Sequence, residues 1–177
     1  QYNTGSPRFR TYKSGQKIIQ LYKESDGKEA AGLAYAAADA QKLAKVGGTL
    51  TAPTLANPNG VTVTYASNNT TVVDVDASTG AVTINAAGVA TITASFAGDE
   101  DYKAGSATYT IFVATEAGTA EDPLSEVSAK ALIDNGCTLN VHVKGTVDVV
   151  GSLNTTYGSI SLTLTGGFQF YGMLNTS

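Results

Sequence analysis

Residues 61–113 read VTVTYASNNTTVVDVDASTGAVTINAAGVATITASFAGDEDYKAGSATYTIFV. Short alternating runs rich in Val, Ile and Thr are cut by Gly, Asn and Asp at a spacing of roughly 8–12 residues, the pattern of an antiparallel β-sandwich. Residues 73–75 (VDV) and 82–84 (VTI) pair naturally as a hairpin. Asp76 is placed to accept bonds from the backbone amides ahead of it, and Gly80 supplies the positive φ that closes the turn. Along residues 89–96, Ile92 and Ala94 share one face and Thr91, Thr93 and Ser95 the other, which predicts a strand with one side buried. In the last strand Tyr109, Ile111 and Val113 alternate with Thr108, Thr110 and Phe112, so apolar side chains occupy both faces.

Upstream lies EAAGLAYAAADAQKLAKVGG, residues 29–48. Its Ala, Leu, Gln and Lys favour a helix, and Gly47-Gly48 would end one. Against that vote stand Gly32-Leu33-Ala34-Tyr35 and, after a spacer, Gly48-Thr49-Leu50-Thr51-Ala52-Pro53. With Pro53-Thr54-Leu55, Asn57-Pro58-Asn59-Gly60, Val63-Thr64-Tyr65 before Ser67-Asn68-Asn69, Val73 to Gly80, and Ala87 to Ala94, the stretch resembles bacterial immunoglobulin-like domains of the second group. The resemblance covers roughly residues 30–115 and implies extended structure where propensity favours helix.

At the N-terminus, residues 8–12 (RFRTY) and 17–22 (KIIQLY) are β-prone runs joined by Lys13-Ser14-Gly15-Gln16, a hairpin with apolar residues on both faces. This segment resembles the final strands of domains that precede such repeats in secreted proteins of Bacteroidetes; a native hairpin docked on the next domain is the alternative. Residues 25–28 (SDGK) form a linker.

After Val113 comes a small, acidic stretch broken by Pro123, then residues 124–135 (LSEVSAKALIDN), with Leu124, Val127, Ala131, Leu132 and Ile133 at helical intervals and Gly136 at the end. Residues 141–150, 159–165 and 168–171 are strand candidates. Val143-Lys144-Gly145 and Thr156-Tyr157-Gly158 resemble the OB-fold-like modules that follow immunoglobulin-like repeats in the same proteins. An OB-fold has five strands, so the module is expected to be incomplete. The expected fold is therefore mainly β: a hairpin over residues 1–24, an immunoglobulin-like β-sandwich over 29–115, and a partial OB-like β-barrel module with one helix over 116–177.

The composition sets limits on function. With 42% apolar and 15% charged residues the chain is globular. The net charge of −4 and the lack of any Lys/Arg cluster argue against nucleic acid as a partner. One cysteine, Cys137, forms no internal disulfide, and one histidine, His142, does not by itself make a zinc site. No run approaches the roughly 18 apolar residues of a membrane span. Nothing calls for a cofactor.

Few residues are candidates for chemistry. Asp99 and Asp101, with Asp74, Asp76 and Glu100 nearby in sequence, could offer hard oxygens to calcium, but their spacing is not that of an EF-hand and a solvated loop is the plainer reading. His142 between Val141 and Val143 is expected on the wetter face of a strand, without a nucleophile or orienting acid nominated by spacing. Cys137 reads as a small apolar residue. Tyr157, Phe168, Phe170 and Tyr171 fall on the OB-like segment, where such folds present aromatics to oligosaccharides or unpaired bases; core packing is the alternative.

The sequence thus points to non-catalytic modules of a larger secreted or cell-surface bacterial protein, an extracellular spacer with neighbouring domains of the same polypeptide and a cell-surface glycan or protein as its partners. The alternatives are accessory modules of an extracellular nuclease or glycan hydrolase, and a fibre or pilus subunit assembled by strand exchange.

Overall fold

The computed structural model describes residues 27–154, 159–165, 167 and 169–173. The expected hairpin at 8–22 lies outside them. The described chain is mainly β. Its elements in order are β1 (Glu29–Ala30), a 3-10 turn (Ala37–Asp39), β2 (Gln41–Lys45), β3 (Thr64–Ser67), β4 (Val73–Val75), β5 (Val82–Ile84), β6 (Gly88–Phe96), β7 (Tyr102–Lys103), β8 (Gly105–Ala114), α1 (Glu126–Asp134), β9 (Val147–Asn154), β10 (Ser159–Leu164) and β11 (Gln169–Met173).

A four-stranded sheet in the order β2-β8-β6-β3 forms the centre. β6 and β8 run antiparallel from Gly88 opposite Val113 to Phe96 opposite Gly105, and β3 pairs with β6 on one side. β2 joins the other side in parallel, Gln41 opposite Thr110 through Lys45 opposite Ala114. The β4–β5 hairpin lies over the inner face, where Ala90, Ile92, Tyr109, Ile111 and Val113 pack with Val72, Val73, Ile84 and Ala44. Ala31, Val61 and Phe96 form a smaller cluster in which Leu33, Val63 and Tyr102 also pack.

The alternation read in residues 89–96 is the observed one: Ala90, Ile92, Ala94 and Phe96 are buried, and the residues between them half-buried. The hairpin turn also follows the sequence. Asp76 Oδ1 accepts from the amides of Ser78 (3.0 Å) and Thr79 (2.7 Å) and from the Thr79 hydroxyl (2.8 Å). Gly80 takes φ +73 and its amide donates to Asp76 O.

The Ala-rich stretch is extended, against its propensity. Gly32 at φ +74 breaks any helix early, and Ala36 starts the 3-10 turn with no capping side chain. Its strand is Gln41–Lys45, between the two segments that carry the resemblance; Ala34 makes only a bridge to Ala56. An Ala-rich helix would have buried little apolar surface, whereas β2 places Ala44 in the inner cluster and Leu43 in the outer one and gains a full ladder with β8. Tertiary gain outweighs propensities of at most about 0.7 kcal/mol per residue for ordinary side chains.

The second apolar face of β8 has its explanation in the segment that follows. Phe112 and Ala114 point away from the inner face and pack with Leu124, Ala129 and Leu132; Leu43, Val89, Cys137, Val141 and Val143 complete this outer cluster. The helix begins at the N-cap Ser125, whose hydroxyl accepts from Ser128 N. Leu124 pairs with Val143 through a short parallel bridge rather than within a long strand, so the strand expected at 141–150 begins only at Val147. β9, β10 and β11 form an antiparallel sheet in the order β11-β10-β9. None of the sheets among the described residues is closed.

Candidate functional site

The junction between sandwich and helix carries a cluster of polar contacts. The Glu116 carboxylate, at the exit of β8, accepts from the Ser128 hydroxyl at 2.7 Å and from the Thr115 hydroxyl at 2.8 Å. Ser125 Oγ donates to Ser128 Oγ at 2.9 Å, so the helix cap and the carboxylate form one relay. The Ser128 hydroxyl first, and Thr115 behind it, hold Glu116 below the usual carboxylate range. A carboxylate held low is a poor base, so the arrangement tethers the helix start rather than activating a serine. Beside it an open apolar recess of about 300 Å³ lies between Val89, Val113, Ala114, Val127, Ala131 and Leu132. Val127 is 81% exposed at its rim.

Two side-chain links tie the same segment to β2. Lys45 Nζ meets Asp122 Oδ2 at 2.8 Å, and Lys45, followed by the Ala117 amide, pulls the Asp122 carboxyl down. Gln41 donates through Nε2 to Gly136 O and accepts through Oε1 from the Thr138 amide and hydroxyl.

At the opposite end of the sheet, Asp99 Oδ1 accepts from the amides of Asp101 (2.9 Å) and Tyr102 (2.7 Å), and Lys28 Nζ donates to Asp99 O. The calcium candidates Asp99 and Asp101 thus share one tight turn, in which a carboxylate oxygen of Asp99 is engaged by backbone. Among the described residues no three His, Cys, Asp or Glu side chains converge as metal ligands.

Other polar side chains of the sandwich are used the same way. Asn57 brackets its turn by accepting from Val61 N and donating to Val61 O, Asn68 Oδ1 accepts from Thr91 N, and Asn69 Nδ2 donates to Val89 O. Their chemistry is that of loops fastened to strands. Residues 55–98 match the family model of the intimin immunoglobulin-like domain. No curated protein matches the chain.

The intimin-like stretch contains β3 to β6 entire and holds the Asn57, Asn68, Asn69 and Asp76 contacts. β2, β8 and all of the outer cluster except Val89 lie outside it. Of the aromatic candidates, Tyr157 and Phe168 are outside the described residues. Phe170 and Tyr171 lie in β11, opposite Leu162 and Ser161 of β10. His142 is exposed between the packed Val141 and Val143, and its backbone bonds to Gly118 and Leu124. Cys137 packs at the edge of the outer cluster. The Glu116–Ser128–Ser125 relay is the feature that sequence reading missed. Its signal was Ser125 directly before the helical run, a capping residue following Pro123.

Among the described residues no helix is long and apolar enough to cross a membrane.

Proposed function

We propose that this chain is a non-catalytic part of a bacterial surface protein of the adhesin type, in which the immunoglobulin-like sandwich spaces and presents its neighbours. The observation that carries this reading is the intimin-like match over residues 55–98, joined to a polar inventory spent on turns and tethers. Fold likeness alone does not assign activity, so the reading is tested by where the protein is found. Immunolabelling of intact cells of the source bacterium, with an antibody raised to this chain, is expected to stain the surface. Recovery of the antigen only after cell lysis overturns the surface assignment.

A second reading, assembly by strand addition, is favoured by β9. Among the described residues it is one of the two edge strands of its sheet, and it exposes Val147 (47%), Val149 (51%) and Val150 (63%). Register shifts interrupt its pairing with β10, and irregular edges of this kind discourage further pairing. Light scattering coupled to size exclusion decides: concentration-dependent assembly supports strand addition, and a monomer at every concentration removes it.

A further inference from the structure

Two strands pulled along their length in opposite directions load every hydrogen bond between them at once. Strands drawn apart sideways from one end load those bonds one after another. Which geometry a fold presents depends on where the chain enters and leaves it.

Here the described chain enters beside the start of β8. Glu29 and Ala30 of β1 run parallel to Tyr102 and Lys103 of β7, which directly precedes β8, and Glu29 N donates to Asp101 O at 3.0 Å. It leaves the four-stranded sheet at the other end of β8, at Ala114, about 33 Å away for a ten-residue strand. Between entry and exit, β2 lies parallel to β8 over five register pairs. The ladder is extended at both ends, by Thr110 N donating to Ala40 O and Val46 N donating to Ala114 O, each at 2.9 Å. Tension drawing the N-terminal side of the chain one way and the C-terminal side the other therefore slides β2 along β8 instead of peeling it.

We propose that the parallel β2–β8 ladder is a shear clamp that sets the resistance of this chain to tension along its length. The strand is held against sliding on both faces, by Leu43 in the outer cluster and Ala44 in the inner one. Pull from the C-terminal side first meets the segment after Ala114, held by the Lys45–Asp122 pair, by the Gln41 bonds to Gly136 and Thr138, and by Leu124, Ala129 and Leu132 of the outer cluster. The exposed pairs resist little, and the ladder carries the load once this segment has come away. The inference gives the proposed surface spacer a load to bear, but the clamp is a property of the fold and stands apart from location.

The test is single-molecule force spectroscopy on the full chain. One set of measurements loads the chain through its two ends. The other loads it through Ala87→Cys and Thr115→Cys in a Cys137→Ala background, which draws β6 and β8 apart at their open end, where Gly88 faces Val113. End-to-end rupture of the sandwich is expected at a several-fold higher force than sideways rupture. Val46→Pro, which deletes the donor to Ala114 O, is expected to lower the end-to-end force and leave the sideways force unchanged. Equal forces along the two axes overturn the clamp, and so does an end-to-end force unmoved by Val46→Pro. If Val46→Pro does not fold, the comparison of axes with the native β2 decides alone. Absence of surface staining would remove the surface reading and leave this result standing, while equal forces would do the reverse.

Discussion

The ring of Tyr35 meets that of Tyr109 edge-on, with centroids 4.9 Å apart at 70°. Tyr109 is 2% exposed, and its hydroxyl finds no hydrogen-bond partner among the described residues. The aromatic contact is favourable, whereas an unsatisfied buried hydroxyl costs about 1–3 kcal/mol. Tyr109→Phe keeps the ring and removes the burden. It is expected to raise stability by about 1 kcal/mol in urea unfolding. A destabilised Phe variant would show that the hydroxyl is satisfied in solution.

The same pair makes the sandwich sensitive to alkali. Burial first, and the neighbouring tyrosines second, push Tyr35 and Tyr109 up from 10.0 to about 12. Between those values the folded chain holds protons that the unfolded chain has lost, so stability falls as pH rises. Their contribution is whole below about pH 10 and is lost as pH climbs through about 12. Melting temperatures measured from pH 8 to 12 are expected to drop above 10, and less steeply in Tyr109→Phe. A flat profile through pH 12 would contradict the desolvation of the buried Tyr109 and the half-buried Tyr35.

Gly80 is fixed twice over. At φ +73 it occupies a conformation that costs an L-residue about 1–2 kcal/mol, and a Cβ there would lie 2.9 Å from Cε1 of Tyr65. Gly80→Ala is expected to lose at least about 1 kcal/mol with an unchanged urea m-value, because the turn is strained while the fold is kept. A neutral substitution would mean that the hairpin and the Tyr65 ring can shift together.

The parts of this fold that were legible in the sequence are those where one local rule dominates. Asp76 and Gly80 specify their turn by side-chain chemistry and backbone freedom, and the alternation through Ala90, Ile92 and Ala94 states which face is buried. Phe112 announced a second buried face of β8 but could not name its partner, since Leu124 and Leu132 come from a helix whose docking is a tertiary event. For residues 29–48 the family resemblance implied extended structure but not the strand Gln41–Lys45, which falls in the spacer between its two segments, because the helix propensity there is overridden by a strand 69 residues away in sequence, the separation of every pair from Gln41 with Thr110 to Lys45 with Ala114. The Glu116 relay was missed because only its Ser125 end, a helix cap, leaves a local signature, while the reach of Ser128 to Glu116 joins separate elements and has no spacing rule.

That relay predicts sensitivity at the acid end. Glu116 is held below its ordinary value of 4.5 by hydroxyl donors, so its contribution is present above that pH and is lost as pH falls through the lowered value. Glu116→Gln is expected to lower the melting temperature at pH 7 and to narrow the gap between pH 7 and pH 3. An unchanged gap would show that the helix tether does not depend on the charge.

The last prediction concerns what binds the segment after Ala114 to the sandwich. Phe112 is 1% exposed and lies in β8, the strand common to the inner core and the outer cluster. Truncating it opens a cavity under Leu124 and Leu132, and Phe→Ala in a core typically costs about 3–5 kcal/mol. Because Ile111 and Val113 on the inner face are untouched, the loss should fall unevenly along the chain. Native-state hydrogen exchange on Phe112→Ala is expected to show the amides of Glu126–Asp134 losing protection well before those of β6. Equal loss in both elements would mean that the helix and the sandwich unfold as one cooperative unit, with the outer cluster as much a part of that unit as the inner.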